Sequence, residues 1–136
     1  MIIGFTGTQT GMTEDQYGSV QVIIQRLKVD EAHHGQCIGA DMDFHEIIRQ
    51  NTDAKIVSHP PIVQTKIGEC EADEYRNPQD YLVRNQDIVN ECDVLVATPK
   101  ENNEVLRSGT WATIRRATKA KKPVLIVNPD GMTIIR

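Results

Sequence analysis

The chain has 136 residues, which suits a single domain, and only 4% of them are aromatic, so its core must be mainly aliphatic. Hydrophobic residues at 39% and charged residues at 25% describe an ordinary globular domain, not a disordered, fibrous or membrane-spanning chain. A formal net charge of −4 sets it apart from proteins that hold nucleic acid through a basic footprint, so nucleic acid is not an expected partner.

Residues 1–6, Met-Ile-Ile-Gly-Phe-Thr, read as a first strand, followed by the flexible loop Gly7-Thr8-Gln9-Thr10-Gly11. Thr13-Glu14-Asp15-Gln16 resembles a capping box, and Tyr17, Val20, Ile24 and Leu27 then recur at helical spacing. A second strand is predicted within His34–Ile38, ending at the turn Gly39-Ala40-Asp41. Asp41 is placed there as the cap of a helix burying Phe44, Ile47 and Ile48, or as an acceptor for a sugar hydroxyl. Lys55–Ser58 is a third strand, stopped by His59-Pro60-Pro61. Residues 60–77 lack a period and are expected to form a long loop. Asn77-Pro78 signals a helix start with proline at its first position, and Tyr81, Leu82, Asn85, Ile88 and Val89 follow helical spacing. Asp93–Ala97 is a fourth strand, Ser108–Lys119 a helix, Pro123–Val127 a fifth strand, and Asp130-Gly131 a turn before a short tail. Lys119, Lys121 and Lys122 cluster where that last helix ends, and favourable interaction with its dipole accounts for them.

Strands alternating with helices imply an α/β fold: a Rossmann-like three-layer sandwich, residues 1–136 as one domain, with a mostly parallel sheet of about five strands and helices on both faces. Ligands bind such sheets beyond the carboxyl ends of the strands, so three turns are predicted to converge there. The first, Thr6, Gly7, Thr8 and Gln9, is neither a P-loop, since no Lys-Ser/Thr follows the second glycine, nor a G-x-G-x-x-G, whose spacing is absent. The second is Gly39, Ala40 and Asp41. The third, Arg107, Ser108, Gly109, Thr110 and Trp111, opens a helix: free N–H groups and the positive dipole end favour an anion, Ser108 and Thr110 add hydroxyls, and Arg107 adds charge. Arg84 and Asn85 join the site because Tyr81 and Ile88 turn Arg84 inward. A buried guanidinium needs a phosphate or carboxylate partner, either a ligand or Asp80 or Asp87.

Other polar groups receive structural readings. Cys37, Cys70 and Cys92 are odd in number and form no C-x-x-C, so neither a zinc knuckle nor a disulfide framework is indicated, and Cys37 and Cys92 are expected as buried thiols. His33 and His34 are adjacent on a strand, so they point to opposite faces, one packed and one toward solvent. Asp41, Asp43, His45 and Glu46 do not bring three ligands to one helical face. No metal and no resident cofactor is expected. The chain enters its first strand with no basic leader, and no apolar run is long enough to cross a bilayer, so a cytoplasmic protein without membrane contact is expected.

Taken together, G-F-T-G-T-Q, H-H-G-x-C-x-G-A-D, Y-L-x-R-N-x-x-I-V and R-S-G-T-W-A-T-I-R-x-A with K-K-P-V following resemble the SLOG superfamily. These are Rossmann-like nucleotide-binding domains related to LOG-type phosphoribohydrolases and to the DNA-processing A domain, and the resemblance spans nearly the whole chain. It implies a nucleotide-derived ligand with phosphate or ribose near Thr6–Gln9, Gly39–Asp41 and Ser108–Trp111, and it implies homo-oligomers. LOG-type enzymes carry a glutamate three residues after their Gly-Thr, where this chain has Thr113. The expected function is therefore binding of a nucleotide-type small molecule, as sensor, carrier or sequestering protein. The alternative is a hydrolase of a nucleotide N-glycosidic or phosphoester bond, with Asp41, Glu101 or Glu104 supplying the carboxylate. A nucleic-acid-processing accessory is a third class, disfavoured by the negative charge. A homodimer or dimer of dimers is expected through the helix carrying Trp111 or the helix carrying Tyr81, Leu82 and Ile88.

Overall fold

Alternate residues of the central strands point to opposite faces, and both faces are apolar, as a parallel sheet requires. The structure, a computed structural model, describes residues 1–136. In chain order its elements are β1 (Ile2–Gly7), α1 (Glu14–Arg26), β2 (Glu31–His34), α2 (Ala40–Asn51), β3 (Lys55–Ser58), β4 (Glu74–Tyr75), α3 (Tyr81–Glu91), β5 (Val94–Thr98), α4 (Gly109–Lys119), β6 (Val124–Val127) and β7 (Thr133–Ile135), with one 3-10 turn at Gln64–Lys66. The sheet order is β4-β3-β2-β1-β5-β6-β7. All pairings are parallel except β6 with β7.

Ile3 and Phe5 of β1, Val96 of β5 and Val127 of β6 face one core shared with α1 and α2. Leu95 and Ala97 of β5 and Val124 and Ile126 of β6 face the other, shared with α3 and α4. Phe5 stacks on Phe44 of α2 with ring centroids 4.4 Å apart. The three-layer sandwich is thus as expected, although the sheet has seven strands and not five.

Three local features fix the loops. The capping box is present: the Thr13 hydroxyl accepts from the Gln16 N–H, and Gln16 Oε1 accepts from the Thr13 N–H. Gln16 is also fully buried, and its Nε2 donates to the carbonyls of Pro99 and Val127, 2.8 and 3.0 Å away, tying α1 to the ends of β5 and β6. The Ala40 N–H donates to the Thr8 carbonyl at 3.0 Å, which holds the first loop against the start of α2. Gly39 makes this possible. Its φ is +89°, and a Cβ there would run into the backbone of Gln9.

Element boundaries differ from the sequence reading where the backbone is already committed. β2 ends at His34 because Gln36 adopts φ 51°, outside the extended region. Asp41 is not the cap of α2. Gly39 holds that position, and the Asp41 carboxylate turns back to accept from the Cys37 N–H at 3.0 Å. α3 starts at Tyr81 and not at Pro78, because the Gln79 N–H donates to the Pro60 carbonyl and its carbonyl accepts from Ile62. Residues 60–77 are mostly loop but include β4, and the tail folds back as β7.

Gly39→Ala should therefore lower stability by at least about 2 kcal/mol, from positive-φ strain and the Gln9 clash. Gly18→Ala, in the exposed interior of α1 with open space around it, should raise stability by about 0.5–1 kcal/mol. Urea denaturation of both variants measures the contrast.

Candidate ligand-binding site

The order of the sheet reverses at β1: the chain builds outward through β2, β3 and β4, then returns to add β5 on the other side. Crevices form at such a switch point, beyond the strand carboxyl ends. A cavity of about 450 Å³ opens there. Its wall is made by Thr6, Gly7, Thr8 and Gln9 at the end of β1 and just after it, by Gly35, Cys37 and Asp41 from the end of β2 into the first turn of α2, by Tyr81, Arg84, Asn85 and Ile88 of α3, and by Lys100, Glu101 and Arg107–Thr110 from the end of β5 into the first turn of α4, with Phe5 beneath.

The α4 side is built to receive negative charge. Ser108 caps the helix, its hydroxyl accepting from the Trp111 N–H at 3.2 Å and its carbonyl accepting from Ala112 at 2.8 Å. The N–H groups of Gly109 and Thr110 have no acceptor within the chain, so they remain available at the positive end of the dipole. Exposed Lys100 and Arg107 add two cations at the mouth. Glu101 faces the same loop, where its carboxylate accepts from Trp111 Nε1 at 3.2 Å.

The opposite corner is a buried polar cluster. Arg84, 6% exposed, donates through Nη1 to the carbonyls of Gly35 (2.5 Å) and His59 (3.2 Å), and lies 3.7 Å from the Cys37 sulfur. A Cβ on Gly35 would collide with the guanidinium, so glycine is required under it. Arg84 Nε has no partner. Tyr81 covers the guanidinium at 5.1 Å. Burial pushes the Asp41 carboxyl up to about 6, against the pull of Arg84 and the N–H groups of Cys37 and Gly35. Burial and the neighbouring Asp41 also push up the Cys37 thiol.

The three turns thus converge as expected. Thr6, Gly7, Thr8, Gln9, Asp41, Arg84, Asn85, Arg107, Ser108, Gly109 and Thr110 all reach the cavity. Gly39, Ala40 and Trp111 do not line it. Gly39 and Ala40 are spent on holding the first loop. Trp111, 3% exposed, fills the core between α3, α4 and the sheet. The partner of Arg84 is neither Asp80 nor Asp87 but backbone carbonyls. Gly35, Cys37, Tyr81 and Lys100 were not anticipated; of these, only the aromatic one turn before Arg84 gave a signal.

The adjacent histidines depart from expectation, since both are buried. His33 lies under α3, with Nδ1 2.7 Å from His59 Nε2 and Nε2 2.7 Å from Glu31 Oε1. His34 lies under α2, with Nε2 2.9 Å from His45 Nδ1, while its Nδ1 accepts from the Gln36 N–H. Cys37 and Cys92 are buried thiols, as expected. Burial pushes the Cys92 thiol up to about 11.

No protein-family model and no curated protein matches the sequence. Among solved structures, the fold is similar to a molybdenum cofactor binding protein from the phototrophic bacterium Rippkaea orientalis, with TM-score 0.69 and 19% identity over 93% of this chain and 76% of that one. It is also similar to the molybdenum cofactor carrier protein of Chlamydomonas reinhardtii, with TM-score 0.66 and 20% identity over 92% of this chain and 74% of that one. At these identities the shared property is the fold. No helix is long and apolar enough to cross a membrane.

The buried titratable groups set the acid limit of stability. Burial holds His34 and His59 down to about 3, well below an exposed histidine. The unfolded chain takes up those protons near pH 6.5, so stability present above that pH is lost as pH falls toward 3. Asp41 has the opposite sign: its contribution is present below 3.8 and is lost as pH rises through about 6. Two histidines against one aspartate predict net loss on acidification, approaching about 1.4 kcal/mol per pH unit for each histidine. Calorimetric melting temperatures should hold from pH 7.5 to about 6.5 and fall from there to pH 5.

Proposed function

We propose that this chain is a SLOG-type binding protein that holds a phosphate-bearing small molecule in the switch-point cavity, as a carrier or sensor. The observation that carries the reading is the first turn of α4. Gly109 and Thr110 offer unpaired N–H groups to the cavity, and nothing stands within 4 Å of where a Gly109 Cβ would be. A glycine that neither the backbone conformation nor its neighbours require leaves room for something outside the chain to approach the N–H groups. The phosphate sits there, with Arg107 and Lys100 at the rim, and the rest of the ligand reaches toward Asn85, Asp41 and Arg84. A volume of about 450 Å³ suits a ligand of mononucleotide size.

Two ligand classes fit that description. One is the nucleotide family implied by the sequence motifs. The other is the molybdenum cofactor named for the two structural neighbours. That these neighbours are a binding protein and a carrier protein favours reversible holding over turnover.

The hydrolase reading depends on a carboxylate facing the ligand. Glu104 is taken by Arg115 at 2.8 Å and Arg136 at 3.2 Å, and Glu101 by Trp111. Asp41 lines the cavity, and its proton is held up to about 6, so it is the one candidate acid for that chemistry.

Self-association is proposed through α3, where Leu82 and Val83 are 61% and 48% exposed, with Ile62 held against Gln79 one turn earlier. Trp111 and Ile88 are core residues and cannot serve.

At a ligand concentration one hundred times Kd, the matching compound should stabilise the protein by about 2.7 kcal/mol, read as a rise in melting temperature. The panel is adenine and guanine nucleotides, ADP-ribose-type compounds and molybdenum cofactor released from a molybdoenzyme. Gly109→Val should keep the fold and lose at least about tenfold in affinity, and Arg107→Ala should cost about 1.5 kcal/mol of binding. No shift with any compound at millimolar concentration overturns the reading. Release of free base, lost in Asp41→Asn, would replace it with the hydrolase. In light scattering, the wild-type chain should exceed monomer mass at micromolar concentration, and Leu82→Glu should reduce it to monomer.

A further inference from the structure

Separate from the switch-point cavity, a smaller cleft of about 270 Å³ lies on the α3 side of β2 and β3, bordered by His59, Arg76, Asp87 and Glu91. We propose that His33, His59 and Glu91 form a binding site for a divalent cation of the zinc class at this cleft, with one coordination position left open toward it. No local pattern of residues marks such a site, because its ligands come from β2, the residue after β3 and the last turn of α3.

The geometry has three parts. One donor atom from each of the three residues lies within 4.8 Å of the others, close enough to converge on one ion after small side-chain adjustment. His33 and His59 are 1% and 3% exposed, so their imidazoles are held by packing, while Glu91 reaches the cleft. A set of two histidines and one glutamate is a zinc donor set that leaves the fourth position for water or substrate.

The third part is the proton on His33. Glu31 Oε1 lies 2.7 Å from His33 Nε2, and an ionised carboxylate only accepts, so Nε2 carries the hydrogen. The Nδ1 lone pair is then directed at His59, which is the arrangement by which a carboxylate orients a metal-bound histidine. Without metal, His59 Nε2–H donates to His33 Nδ1 across 2.7 Å. A cation entering between them displaces that hydrogen bond. The proton moves from Nε2 to Nδ1 of His59 through solvent, so both imidazoles stay neutral and no net proton is released by them. Glu91 exchanges its 2.7 Å ion pair with Arg76 for the metal, and Arg76 keeps its second partner, Glu74. Glu31, Asp87 and Glu91 offset the positive charge of Arg76 and Arg84 around the cleft.

The molecule's other convergent group, His34, His45 and Cys70, lacks a free lone pair at the point of convergence. There the Gln36 N–H donates to His34 Nδ1, so the neutral ring carries its hydrogen on Nε2, the atom facing His45. A metal on that atom needs an imidazolate, so the pair is a hydrogen bond and not a ligand set.

Cobalt(II) titration of full-length, tag-free protein tests this, followed by visible absorption, with zinc competition and zinc-dependent melting temperature alongside. One equivalent should bind saturably, with d–d bands and no thiolate charge-transfer band, and zinc should displace it and raise the melting temperature. Glu91→Gln, at a part-exposed position that leaves the core intact, should lower affinity at least about tenfold. Glu31→Gln, a positioning change, should lower it by about 10–100-fold. His45→Ala and Cys70→Ser should leave binding unchanged. No saturable uptake at millimolar zinc, wild-type affinity in both glutamate variants, or loss of binding in His45→Ala overturns the assignment.

Discussion

Arg84 carries a permanent positive charge into a region where only 6% of it meets solvent, and its partners are two carbonyls and a thiol in place of a carboxylate. An uncompensated buried charge is costly, so everything around it is arranged to spread that charge. Gly35 is bare beneath it, the Gly35 and His59 carbonyls point at it, Tyr81 lies over it, and Asp41 stands near enough to feel its field. These groups come from the ends of β2 and β3 and the starts of α2 and α3. One side chain therefore fixes four chain segments in one place, and that place is a wall of the cavity.

The consequence for the site is a division of labour. The α4 end is open, wet and cationic, with donors that no residue of the chain occupies. The Arg84 end is dry and already bonded to the fold, apart from its free Nε. The first offers donors and positive charge, and the second offers a fixed shape. The paired histidines of β2 and the end of β3 belong with the second end, since His59 gives its carbonyl to Arg84 and its ring to His33.

Much of this was legible in the chain itself, for identifiable reasons. Thr13-x-x-Gln16 encodes a local cap and formed as read. Ser108-Gly109-Thr110 after an apolar run encodes a helix entry, which is also local. Lys55–Ser58 is bounded by its own turn residues and matched residue for residue. The failures share a cause: a long-range hydrogen bond outweighed a local signal. Pro78 looked like a first helical residue, but Gln79 is bridged to Pro60 and Ile62. Asp41 looked like a cap, but the Thr8 carbonyl took the Ala40 N–H and moved the helix start forward. β7 carries no alternation, because all three of its residues are exposed at the sheet edge. Gly35 and Cys37 were missed for the same reason: they meet Arg84 across almost fifty positions of sequence.

Gln16 does not line the cavity, yet it moors the loop at the cavity mouth. Its amide grips the Pro99 carbonyl, at the root of the segment carrying Lys100 and Glu101, and the Val127 carbonyl at the end of β6. The stretch from Pro99 to the Ser108 cap is thereby anchored at its first residue as well as along α4, where Arg115 holds the Val105 and Leu106 carbonyls. A longer, untethered loop would lose more freedom on capturing a ligand and would bind more weakly for the same contacts. A side chain on the first helix thus sets how much entropy is left to lose at a mouth built from the fourth.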